Sequence, residues 1–438
     1  MLNKYVLALP IDCAELKDEP GGDINLCNFH DFFQCFKMFS EAPKTRYYPY
    51  MVTPQEISFV LACERIELGA ELYNPKEQIR KIKSLYSCLN FPVFADEVKT
   101  EALPDCVEFS GEGEASVKSF AISVGGEKAG KIRLAVGNAR MLTQDYKQAL
   151  LGKPRLSYQR YQQVALLLRA VLSEKVDILV LPECFIPWEW IPQIARICAN
   201  NDMALVTGVE PVLSGELDPG EKSSKKVYNL TAVILPYQKD DNKFSHVVFH
   251  HKVHYSPEEK REILGYRLSP IEGENYQLFY WKDLWFSVYC CFELASIKDR
   301  AIFQSYADLT IAVEWNKDVG YFGNIIESMS RDLHCYCVQA NSSDYGDSRV
   351  VLPTSANRRD LIKTKGGQNC TILTDVIDVD ALRDFQRKEY ELQRDDKRFK
   401  LTPPYFNFNV VERKQDRTLW GMLNQKKADD LTFSENDT

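Results

Sequence analysis

Three short segments of this chain end apolar runs with residues that could make and break covalent bonds. Leu179-Val180-Leu181-Pro182-Glu183-Cys184-Phe185 places a carboxylate at the end of an apolar strand. His250-His251-Lys252-Val253-His254-Tyr255-Ser256-Pro257-Glu258-Glu259-Lys260 leaves a strand carrying an ammonium group near carboxylates. Ser287-Val288-Tyr289-Cys290-Cys291-Phe292-Glu293-Leu294 delivers a thiol to a strand end, with a helix expected soon after. Strand ends of this kind are where open α/β sheets build their sites. A thiol at a strand-to-helix turn feels the helix N-terminus, which favours the thiolate. Each segment also has a plainer reading: a solvated glutamate, a polar loop, a buried structural cysteine.

The elements that must position these residues alternate between strand and helix. Lys131–Val136, Val176–Leu181 and Ala204–Gly208 read as strands. Between them, Ser157–Leu172 is amphipathic at helical spacing and a second helix covers about 191–200. Further strands are expected at Leu230–Leu235, Ser245–His250, Trp285–Cys290, Leu309–Val313, Cys335–Ala340 and Ile372–Ile377. Such alternation implies an α/β domain, placed at residues 131–385. Residues 1–130 read differently. Thr53-Pro54-Gln55-Glu56 and Asn74-Pro75-Lys76-Glu77 are helix starts, so a helical extension is expected, followed by a connector or weak hairpin at 109–130. Residues 386–438 read as a charged arm and tail, and helical residues 381–400 as a solvated or interacting face.

Composition narrows the classes. The chain has 438 residues, 45% hydrophobic and 26% charged, which excludes a disordered, collagenous or coiled-coil protein. A net charge of -8 disfavours nucleic acid as partner. No apolar run is long enough for a transmembrane helix, and Met1–Pro10 is too soon broken for a signal peptide. The 13 cysteines, without framework spacing, read as reduced thiols of a cytoplasmic protein. Cys335-Tyr336-Cys337 has no second pair at zinc spacing, and His250, His251 and His254 read as hydrogen-bonded or solvent-facing, so no metal site is expected.

The ordered set is more specific than its parts. Glu in a Leu-Pro-Glu strand end, Lys and Glu in a K-x-H-x-x-P-x-E loop, and Cys in a Cys-Phe-Glu strand end resemble the carbon–nitrogen hydrolase (nitrilase) superfamily. Tyr228-Asn229, Ala307-Asp308-Leu309, Arg331, Gln339-Ala340-Asn341 and Gly346–Pro353 also resemble segments of that family. The likeness spans about residues 131–385. It implies a four-layer αββα sandwich and a homodimer or higher oligomer. It implies that Glu183 is the general base, Cys291 the nucleophile and Lys252 the oxyanion cation, helped by the backbone N–H of Phe292. Glu259 would hold and polarise the site. The substrate implied is a small amide or nitrile, with an amide preferred, and no cofactor. Trp188, Glu293, Trp315 and Asn316 are candidates for the pocket wall.

The chain departs from the family pattern at Ser287, where Gly is usual, at Cys290, usually aliphatic, and at Ala295–Lys298. Strand alternation is expected to turn Cys290 away from the side of Cys291. Glu183 is expected to have a raised pKa, through burial or a neighbouring carboxylate. The alternative reading is an inactive binding or assembly module of the same fold, such as a component of a reverse-transcriptase-associated antiviral system. Ala428-Asp429-Asp430 does not supply the polymerase Tyr-x-Asp-Asp motif.

Overall fold

The computed structural model describes residues 98–102, 118–124, 130–213, 225–239 and 242–419. The helices expected from the starts at Thr53 and Asn74 lie outside these residues. In chain order, β1 (Val98–Ala102), β2 (Lys118–Val124) and β3 (Lys131–Ala139) lead to α1 (Thr143–Leu150) and α2 (Tyr158–Ser173). Then come β4 (Ile178–Ile186), α3 (Ile191–Asn201), β5 (Ala204–Leu213), β6 (Lys225–Lys239) and β7 (Asn242–His251). Next are α4 (Pro257–Gly265), β8 (Leu268–Pro270), β9 (Asn275–Trp281) and β10 (Leu284–Cys290). A 3-10 turn at Cys291–Ala295 and α5 (Ile297–Ala301) precede β11 (Leu309–Glu314), α6 (Val319–Leu333) and β12 (Tyr336–Asn341). β13 (Arg349–Val351), β14 (Asp360–Lys363), β15 (Cys370–Asp378), α7 (Val379–Gln386), α8 (Tyr390–Asp395) and α9 (Phe408–Gln415) complete the described fold.

Two sheets result. One runs β1-β2-β9-β10-β11-β12-β13-β14; the other runs β15-β3-β4-β5-β6-β7, with β8 beside β6. Strands buried on both faces carry near-continuous apolar runs, as in Ile178–Ile186, where every residue is buried. Val136, Val180, Val206, Phe286, Ile311 and Val338 meet between the sheets. Leu168, Val171, Ile194 and Cys198 of α2 and α3 pack on the outer face of the second sheet. Phe322, Ile326 and Met329 of α6 pack on the outer face of the first. The layers therefore run helix, sheet, sheet, helix, as expected. No helix among the described residues is long and apolar enough to cross a membrane.

Two differences from the sequence reading have physical causes. Residues 118–124, read as connector or hairpin, form β2, which pairs antiparallel with β1 and parallel with β9, so this stretch extends the first sheet. Its neighbour β9 was equally hidden, because Asn275–Trp281 mixes polar and aromatic residues without a clean period. The charged stretch from 381 onward is solvated on one side only: Asp384, Arg387, Glu391 and Arg394 are exposed, while the other side packs on the fold. Leu382, Arg383, Phe385, Val410, Val411 and Lys414 are buried. Arg383 Nη2 donates to Asp308 Oδ2 at 2.6 Å, and Lys414 Nζ donates to Asp308 Oδ1 at 2.8 Å. The carboxylate between them offsets the burial cost of both cations.

Asp308→Asn should therefore leave two buried cations facing a neutral amide. The expected loss is about 3–5 kcal/mol in denaturant melts of the full chain. A loss under about 1 kcal/mol would mean that water, rather than Asp308, satisfies Arg383 and Lys414.

Candidate active site

The site is built where strands of the two sheets end. β4 brings Glu183, the turn after β7 brings Lys252, and the turn after β10 brings Cys291. Glu259 comes from the first turn of α4, whose start is fixed by Pro257 and by Ser256 Oγ accepting the N–H of Glu259 at 3.1 Å. Close approach of β5 sets the position of Glu183. A Cβ on Gly208 would lie 2.3 Å from the Glu183 Cα and 2.3 Å from the Cys184 nitrogen. The pairing of β4 with β5 is also shifted between Leu181 and Ile186, and Cys184 takes a positive φ of 53°.

Lys252 is 1% exposed. Its Nζ donates to Glu183 Oε1 at 2.7 Å and to Glu259 Oε2 at 2.7 Å. Asn229 Nδ2 joins the same two carboxylates, at 2.9 Å and 2.8 Å. The backbone N–H of Trp315 donates to Glu183 Oε2 at 3.1 Å. Glu183, Lys252 and Glu259 thus form one buried network. Cys291 lies half-buried at its edge, at a φ of 47° and at the start of the 3-10 turn. Positive φ is costly for a non-glycine residue, and such strain concentrates at functional sites.

The charges of this network differ from the sequence expectation. Burial alone would raise Glu183, but the Lys252 ammonium and hydrogen bonds from Lys252, Asn229 and Cys290 bring it below the usual glutamate range. Glu259 goes the other way: burial and the Glu183 carboxylate raise it despite Lys252. Lys252 is held well above its ordinary value, because the two carboxylates outweigh its burial. The Cys291 thiol is pushed well above its ordinary value by burial and by Glu183, with Lys252 opposing. The turn at Cys291 therefore does not produce a resting thiolate. Glu183 thus favours its ionised form while the Cys291 thiol favours its protonated one.

Cys290 is also a correction. Its Sγ lies 3.3 Å from Glu183 Oε1 and 3.9 Å from Asn229 Oδ1, in the layer between the sheets. It is not turned away from the base. Alternation fails as a guide here because the strand ends at Cys290 and the backbone breaks into the positive-φ turn at Cys291. Cys290 is 0% exposed, whereas Cys291 is partly exposed.

The candidates for the pocket wall separate. Glu293 is 0% exposed and does not line a pocket. Its carboxylate accepts the Cys290 N–H at 2.6 Å and faces His250 Nε2 at 2.9 Å, and it also takes the Val253 N–H. It clamps the Lys252 turn to the Cys291 turn. Trp188 is packed in the apolar layer under α2 and α3. Asn316 serves its own loop, its Oδ1 accepting the Asp318 N–H at 2.8 Å. Trp315 does stand at the site, its ring 5.2 Å from that of Tyr146. Sequence reading missed Tyr146, on α1, because nothing near it marks it as more than an amphipathic helix residue. Its hydroxyl is buried without a hydrogen-bond partner, near Glu259 and Lys252.

The three histidines serve different partners. His250 bridges Gln277 and Glu293, His251 contacts the Ile271 carbonyl, and His254 pairs with Asp299. Among the described residues no group of three or more metal-ligating side chains converges.

No protein-family model and no curated protein matches the chain. Solved structures are similar to it in architecture. XC1258 from Xanthomonas campestris, a CN-hydrolase superfamily protein with an arsenic adduct in its active site, is 14% identical over 62% of this chain and 99% of that one, with a TM-score of 0.44. Nit3 of Saccharomyces cerevisiae, a member of branch 10 of the nitrilase superfamily, is 16% identical over 59% of this chain and 93% of that one, with a TM-score of 0.41. An amidase mutant from Nesterenkonia sp. AN1, in complex with acrylamide, is 16% identical over 61% and 97%, with a TM-score of 0.38. The likeness is one of fold and assigns no activity to this chain.

A neutral alkylating agent such as iodoacetamide should label Cys291 and spare Cys290, read by fragment-ion mass spectrometry. Gly208→Ala should slow that labelling at least about tenfold by displacing Glu183. Because Glu183 holds its charge below the usual range, the labelling rate should lose its help only as pH falls below the ordinary glutamate value of 4.5. Preferential labelling of Cys290, or an acid limb well above that value, would contradict the geometry.

Proposed function

We propose that this chain is a carbon–nitrogen hydrolase that cleaves a non-peptide amide bond through a thioester on Cys291. The observation that supports it is the buried Lys252 ammonium, 2.7 Å from both Glu183 and Glu259, beside a half-buried cysteine at a strained strand end. An amide is a poor electrophile, so a nucleophile and a fixed cation must act together. An ammonium and a backbone N–H suit a developing oxyanion, which favours a carbonyl over a nitrile.

In this reading Glu183 takes the Cys291 proton as sulfur attacks the carbonyl carbon. The C–S bond forms, and the carbonyl oxygen takes the negative charge against Lys252 and the Phe292 N–H. Phe292 is the second residue of the turn, where N–H groups lack acceptors within the turn. Collapse breaks the C–N bond, and Glu183 returns its proton to the departing amine. Water then gives a proton to Glu183 and attacks the thioester; the C–S bond breaks and Cys291 recovers the proton. Lys252 stays an ammonium throughout, as its raised pKa favours. Glu259 orients Lys252. No step calls for a metal or organic cofactor.

Metabolite profiling of cells with the wild type against Cys291→Ala, together with mass spectrometry of the intact protein, tests the reading. The wild type should consume an amide, release its amine and carry a transient acyl adduct on Cys291. Glu183→Gln should lower turnover by about 10²–10⁴-fold. A Cys291→Ala protein that behaves as wild type, with no adduct on either, would contradict it.

A further inference from the structure

The carboxyl group of Glu314 has no role in the chemistry above, yet it sits beside the nucleophile. β10 and β11 run parallel with Cys290 opposite Val313. Glu314 is therefore the next residue on β11, and Cys291 opens the turn that follows β10. The turn that starts at Cys291 contacts both β11 and α6. Glu314 and Ala312 share that face of the sheet by alternation, and Ala312 packs with Phe322 and Ile326 of α6.

Glu314 is 0% exposed and so is Gln339. Gln339 Nε2 donates to Glu314 Oε2 at 3.2 Å. Glu314 Oε1 has no hydrogen-bond partner, and neither does Gln339 Oε1. Arg349 is the cation that acts on Glu314 from nearby, but its guanidinium is hydrogen-bonded to Glu327 and Asp347. Two adjacent acceptor oxygens are thus buried with nothing to accept from. Native proteins rarely leave such groups unpaired, and each exception calls for an occupant. Burial, with the carboxylates of Glu183 and Asp347, holds the Glu314 carboxyl well above the usual range. Its field reaches the nucleophile, since Glu314 is among the groups that raise Cys291.

We propose that Glu314 is a specificity-determining residue that selects amides whose acyl part carries a cationic nitrogen group, a protonated amine or a guanidinium. A cation brought next to Glu314 Oε1 and Gln339 Oε1 supplies the missing N–H donors. It also supplies the missing counter-charge, which favours the ionised form of Glu314. The proposal rests on Cys291 being the reactive thiol.

Three methanethiosulfonate reagents test it on the full chain without knowledge of the substrate: 2-aminoethyl (cationic), methyl (neutral) and 2-sulfonatoethyl (anionic). In each, the Cys291 sulfur displaces methanesulfinate and forms a mixed disulfide, located by peptide mass spectrometry. The cationic reagent should label Cys291 at least about tenfold faster than the neutral one. Glu314→Gln should bring that ratio close to one. In the wild type the preference should survive 1 M salt, because buried charges are screened far less than surface ones. This second measurement needs no folded variant. A ratio near one in the wild type, a ratio that collapses in salt, or a ratio unchanged by Glu314→Gln overturns the proposal while leaving the thiol reading intact. Failure of all three reagents to label Cys291 overturns both.

Discussion

Lys252 carries its ammonium group to a place almost closed to water, and two glutamates follow it there. An isolated buried cation would lose its proton, and two buried carboxylates this close could not both ionise. Together the three groups hold one another's charge. The ammonium keeps Glu183 ionised, and the ionised Glu183 in turn makes Glu259 hold its proton more tightly. Asn229 fixes the two carboxylates relative to each other by donating to both. The result is a Glu183 carboxylate that favours its charged form near a Cys291 thiol that does not.

The architecture serves this network. Its members come from the ends of β4, β7 and β10 and from the start of α4, so each rides on a rigid element. Gly208 admits β5 against the base, and Glu293 ties the turn of the lysine to the turn of the cysteine. The ion cluster of Asp308, Arg383 and Lys414 anchors the C-terminal helices to the first sheet. None of this requires the network to be strongly stabilising. Buried ion networks return little net stability, and a site that must hold charge in a dry place accepts that.

Much of this was legible in the sequence, and the failures share a cause. Long apolar strands announce themselves, so β3, β4, β5, β10, β11 and β12 fell where periodicity placed them. Glu183, Lys252, Glu259 and Cys291 stood out because their types and order match a known pattern. Periodicity could not foresee where it stops applying. Cys290 was assigned to the far side by alternation, and the positive-φ turn at Cys291 ends alternation one residue later. Arg383 of α7 and Lys414 of α9 looked solvated because their partner, Asp308, lies 75 and 106 residues away. Glu293 looked like a pocket residue, since nothing local says that its acceptors are already filled. Tyr146 became visible only when buried atoms without partners could be located.

The central claim is that the Lys252 cation sets the charge of this site. Infrared difference spectroscopy between wild type and Lys252→Met at neutral pH, with carbon-13-labelled glutamate, tests it most directly. Removing the ammonium should make a buried carboxylate take up a proton, so the difference spectrum should lose carboxylate absorption and gain a protonated carboxyl band. The gain should vanish when Glu183 is also changed to Gln. Identical carboxyl bands in the two proteins would show that Lys252 does not control the charge of Glu183 and would contradict the account.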